Sequence, residues 1–157
     1  MEYLPLLMLA PLTTLIVSDF RSREVSVMWL GVLAIGTVCI PILQDGWPEV
    51  LRRSGLNLLL ILYMSAGIVM WGWVKARKFV NPINVYIGLG DFLFFLILVP
   101  LFPMRQYAWL LVACMVFSLV WWGAASLLKK RPPKNIPFIA TSGIVLAGAI
   151  VFKVFFA

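Results

Sequence analysis

Long uncharged stretches dominate this chain, and they leave few folds open to it. They run from Tyr3 to Ser18, Val25 to Gln44, Ser54 to Val74, Phe92 to Met104, Gln106 to Leu128 and Asn135 to Phe152. A helix needs about 20 apolar residues to cross the hydrocarbon of a bilayer. The second, third, fifth and sixth stretches meet that length, the first is slightly short and the fourth clearly short. With 63% of residues hydrophobic and 12% charged, the composition departs strongly from that of an ordinary soluble domain. The expected fold is an all-α integral membrane protein, a bundle of about six transmembrane helices, because only helices and closed barrels satisfy their backbone within lipid. One membrane-embedded domain over residues 1–157 is expected, with no appended soluble domain.

Charge supplies an orientation. Arg21, Arg23, Lys75, Arg77, Lys78, Lys129, Lys130, Arg131 and Lys134, nine of the 13 basic residues, fall in connections on one side. Arg52, Arg53, Arg105 and Lys153 fall on the other. The positive-inside rule makes the richer side cytoplasmic and predicts both termini on the outer side. The net charge of +7 is then explained by orientation and contact with anionic lipid, and no nucleic-acid partner is expected. The N-terminus lacks a basic flank, so the first stretch is expected to remain as a helix rather than to be a cleaved signal.

Within this apolar setting two acids are out of place. Asp19 closes the first stretch, and Asp91 closes Gly88-Leu89-Gly90-Asp91. Ionisable residues at membrane depth are costly and are functional candidates by default. The predicted topology puts both at the cytoplasmic side, where a pair of carboxylates can hydrolyse a peptide bond. One ionised carboxylate activates water while its protonated partner donates to the carbonyl oxygen, and like charge makes such a pair share a proton. Histidine is absent, which removes a Ser-His-Asp triad, a His-Cys dyad and the usual zinc sites. Neither a metal nor a cofactor is expected. Gly88 and Gly90 are expected to take backbone angles closed to other residues and to let a substrate chain approach, with irregular backbone before Asp91 and a helix after it.

Plainer readings stand beside these. Asp19 alone is also what a boundary charge looks like, and glycines in membrane helices often serve packing. Trp71, Trp73, Trp109, Trp121 and Trp122 read as interfacial or packing aromatics. Asp45 and Glu49, beside Arg52 and Arg53, read as solvated charges of an outer loop, and Glu24 as a solvated charge near Asp19. Cys39 and Cys114 fall inside apolar stretches, where a thiol acts as a small hydrophobe.

Three elements, in order along the chain, give it a resemblance to the type IV prepilin peptidase and preflagellin peptidase family, membrane aspartic proteases of the Gly-x-Gly-Asp type. Asp19-Phe20-Arg21-Ser22-Arg23-Glu24-Val25 looks like the family's aspartate followed by alternating basic residues. Gly88-Leu89-Gly90-Asp91 looks like its second catalytic motif, and Ile136-Pro137-Phe138 is similar to the element that opens its last helix. The resemblance implies that Asp19 and Asp91 are the catalytic dyad and that Gly88 and Gly90 are motif positions on the substrate side. It also implies a multi-pass enzyme of the prokaryotic cytoplasmic membrane. Its substrates would be pilin-like or flagellin-like precursors, whose short basic leader is removed at the cytoplasmic face, typically after a glycine. Leu93 stands where the family commonly has lysine, Ser26-Val27 where Pro-Asn is usual, and Ile139-Ala140 where Gly-Pro often follows. No N-terminal methyltransferase domain like that of larger members is expected, so N-methylation of the product does not follow. The alternative function is a non-enzymatic transport or secretion-assembly component that uses Asp19 and Asp91 to bind ions or relay protons.

Overall fold

A computed structural model describes residues 4–22, 26–76, 88–128 and 138–156. Among them the chain forms a short 3-10 helix, Leu4–Met8, and six α-helices: α1 (Leu9–Ser22), α2 (Val27–Asp45), α3 (Trp47–Ala76), α4 (Leu89–Leu98), α5 (Met104–Leu128) and α6 (Phe138–Phe156). Strands are absent among the described residues. Leu4–Arg21, Val27–Asp45, Trp47–Val74 and Met104–Leu127 are each long and apolar enough to cross a membrane. The apolar parts of α4 and α6, Leu89–Leu98 and Phe138–Phe152, are shorter. The first stretch thus reaches spanning length by continuing through Asp19 to Arg21, while the opening of the sixth, residues 135–137, lies outside the described residues.

The tightest approach between helices that a glycine permits is that of α6 to α1. α6 lies against α1 so closely that a Cβ on Gly143 would come within 2.7 Å of Ile16 Cγ1. Leu12 and Leu15 of α1, Phe94 and Leu98 of α4, Cys114 of α5 and Leu146 of α6 are all buried in one core. The outward faces are equally apolar: Trp109 is 66% and Leu119 62% exposed. Contiguous exposed apolar surface of this kind suits lipid and not water. Trp71, Trp73, Trp109, Trp121 and Trp122 are all exposed, as interfacial aromatics would be.

α2 and α3 meet at a corner made by one residue. Gly46 takes φ +84°, a left-handed value that costs glycine nothing, and its N–H donates to the Ile42 carbonyl at 3.0 Å. The outer loop expected around Asp45 and Glu49 is therefore not a loop. Asp45 ends α2 and Glu49 lies in the first turn of α3, since charges spaced three or four apart are as compatible with a helix as with a loop. Arg53 bonds Asp45 at 2.8 Å and Glu49 at 3.0 Å, and Arg52 bonds Glu49 at 2.9 Å.

Between α4 and α5 the backbone leaves the helix while still buried. Val99, Leu101 and Phe102 are inside the core. Backbone carbonyls there require donors. Asn57 of α3, itself fully buried, donates from Nδ2 to the carbonyls of both Val99 and Phe102 at 2.8 Å. The Tyr107 hydroxyl donates to the Phe95 carbonyl at 2.8 Å.

Candidate active site

Asp19 lies in the last part of α1, three residues before its end, and is only 7% exposed. Its Oδ2 accepts the backbone N–H of Ala140 at 2.7 Å. Ala140 is the third residue of α6, so this N–H is one of the donors that an α-helix leaves unpaired at its start. The carboxylate of one helix thus caps the positive end of another. The same turn of α6 is fixed from its other side. Thr141 and Ser118 of α5 share a buried hydroxyl–hydroxyl bond of 2.6 Å, and the Cys114 thiol reaches the Ser142 carbonyl at 3.8 Å.

Asp91 occupies the first turn of α4. Gly88 is the N-cap residue, with φ −63° and ψ 136°, and its carbonyl accepts the Phe92 N–H at 3.1 Å. These are extended angles open to any residue, so the expectation of special angles at Gly88 is corrected. What glycine supplies is space: a Cβ on Gly88 would lie 2.8 Å from Asp91 Oδ2. Gly90 is already helical, so the irregular backbone expected before Asp91 does not include Leu89 and Gly90. A capped helix start tolerates glycine, and that is how α4 begins two residues ahead of Asp91.

The starts of α4 and α6 are adjacent. The rings of Phe95 and Phe138 meet edge to face with centroids 5.6 Å apart. Asp19, held at the start of α6, and Asp91, at the start of α4, therefore come to the same end of the bundle, and the charge of Asp19 acts electrostatically on Asp91. Asp91 opens on a cavity of about 330 Å³ between α3, α4, α5 and α6. Its lining includes Ile61, Met64, Ser65, Phe95 and Phe138, so that Asp91 and Ser65 supply the polar groups in an otherwise apolar wall. A volume of this order accommodates a small ligand or a large side chain. Asp19 is not part of the lining and sits deeper.

Other motif residues divide by location. Phe20 packs its ring on Trp121, with centroids 5.7 Å apart, and Arg21 is exposed. Leu93 is half-buried against the core, and Ser26 precedes α2 as its N-cap residue without a side-chain capping bond. Arg23, Glu24, Val25, Ile136 and Pro137 lie outside the described residues. Sequence reasoning missed Ala140, Ser65 and Asn57. A backbone N–H carries no residue-type signal, so Ala140 was not discoverable, whereas a lone asparagine inside the uncharged stretch Ser54 to Val74 was visible as a polar group needing partners. No protein-family profile, curated protein or solved structure was found to match this chain.

Proposed function

We propose that this protein is a membrane aspartic endopeptidase, with Asp19 and Asp91 as its catalytic pair. It cleaves the basic leader of pilin-like or flagellin-like precursors at the cytoplasmic membrane face of a prokaryotic cell. All six helices are then membrane-embedded, both termini are outside, and the nine clustered basic residues are cytoplasmic. This function is supported above all by the convergence of two acids from distant parts of the chain at one end of the bundle, one of them on the wall of a cavity.

The chemistry follows from the two carboxylates. Close acids share a proton, because both cannot readily be charged. The charged member removes a proton from water as its oxygen attacks the peptide carbonyl carbon. The protonated member donates to the carbonyl oxygen, giving a neutral tetrahedral diol. Collapse of the diol breaks the C–N bond, with the proton taken from water delivered to the leaving nitrogen and the second carboxyl recovering its own from the diol hydroxyl. The apolar wall beside Asp91 receives a large side chain of the precursor and keeps bulk water from the reacting atoms.

The direct test is single replacement of Asp19 and Asp91 by Asn, with cleavage of a pilin-like precursor followed in membranes. Each variant is expected to lose activity by roughly 10²-fold or more, the usual contribution of a positioned acid or base. Undiminished processing by both variants would contradict the proposal. Ion uptake into proteoliposomes that depends on both acids, without proteolysis, would favour the transport alternative.

A further inference from the structure

An aspartic dyad needs its members to play different parts, and the surroundings of Asp19 and Asp91 differ. Asp19 receives the Ala140 N–H at 2.7 Å, at the positive end of α6. A backbone donor and a helix N-terminus both act more strongly on a charged acceptor than on a neutral one. The donor is held in direction: Gly143 fits α6 tightly onto α1 at Ile16, and the Ser118–Thr141 bond ties the same turn to α5. Asp91 has a different setting. Its carboxyl lies over Gly88 and faces the apolar cavity, where a substrate carbonyl would arrive.

Building on the peptidase reading, we propose that the Ala140 N–H is a positioning group that keeps Asp19 as the charged, water-activating carboxylate and leaves the shared proton on Asp91. Two neighbouring carboxylates hold one proton between them, and the donor fixed on Asp19 decides which of the two keeps the charge. In the reaction, Asp19 takes the proton from water and later passes it to the leaving nitrogen. Asp91 lends its proton to the carbonyl oxygen and regains it when the diol collapses. The deeper acid thus serves as the base, and the acid on the cavity wall meets the substrate oxygen.

This assignment can be tested without any precursor, so its outcome is separate from that of the peptidase reading. The full chain, labelled with ¹⁵N-alanine in micelles, is compared with Asp19→Asn and Asp91→Asn at one neutral pH, and Ala140→Gly identifies the Ala140 amide by its disappearance. An amide proton bonded to a carboxylate lies downfield of one bonded to a neutral oxygen. Asp19→Asn is expected to move the Ala140 proton upfield, because the acceptor becomes neutral. Asp91→Asn is expected to leave it in place, because Asp19 is already charged. Unchanged resonances from the other alanines establish that each variant keeps its fold. The assignment is overturned if Asp19→Asn leaves the resonance where it was. It is equally overturned if Asp91→Asn drives it downfield, since that would mean Asp19 held the proton until its partner was removed.

Discussion

The corner at Gly46 and the helix starts around Asp91 both bring acids to the ends of apolar helices, and they treat those acids in opposite ways. At the corner, Asp45 and Glu49 are matched by Arg52 and Arg53 at 2.8 to 3.0 Å. At the other site, Asp19 accepts a backbone N–H and its charge acts on Asp91, with no basic side chain among the described partners of either. Matched charges hold two helices at an angle and leave no reactivity behind. Acids set against each other in a mostly apolar environment are poised for proton transfer, which is why the second region and not the first is the candidate site.

A parallel contrast concerns irregular backbone. The turn between α4 and α5 is buried and depends on Asn57, whereas the start of α4 depends on a missing Cβ. Asn57→Leu should have the largest effect on stability, leaving the carbonyls of Val99 and Phe102 without their donor at a cost of about 1–3 kcal/mol. Chemical unfolding in detergent measures it, and an unchanged midpoint would remove Asn57 from its structural role. Gly88→Ala should act on the site alone. Its Cβ displaces the Asp91 carboxylate, and cleavage should fall roughly tenfold while the unfolding midpoint holds, because small misplacements of reacting groups are expensive. Full activity in this variant would show that Asp91 needs no support from Gly88. Arg52→Ala should be the mildest change, since exposed ion pairs contribute little. Cleavage should be unaltered and thermal stability barely lowered, and a large loss of activity would erase the distinction between the two regions.

Much of the helical framework was legible in the sequence. The stretches Val25 to Gln44 and Gln106 to Leu128 became α2 (Val27–Asp45) and α5 (Met104–Leu128) with ends shifted by two residues or fewer. Uncharged runs specify such helices because nothing within them competes with backbone pairing. The start of α3 was hidden because Glu49, Arg52 and Arg53 resemble a loop until their pairing along one helix face is known. The start of α4 was hidden because Gly88 and Gly90 read as breakers, although one is a cap and the other sits in a first turn.

The site was half legible. Both acids stand out as charges closing apolar runs, and the structure sets them at the adjacent starts of α6 and α4. Their inequality was not visible, because it arises from the Ala140 N–H and from a cavity assembled by four helices. Neither feature has a local sequence pattern.

The claim that Asp19 and Asp91 act as one unit is tested most directly by a double-mutant cycle on precursor cleavage, comparing each Asn variant with the double variant in the same liposomes. Groups that share one catalytic step lose nothing more once either is gone. The double variant is predicted to be no slower than the slower single one. Losses that multiply, or a single variant that cleaves at the full rate, would contradict a catalytic dyad.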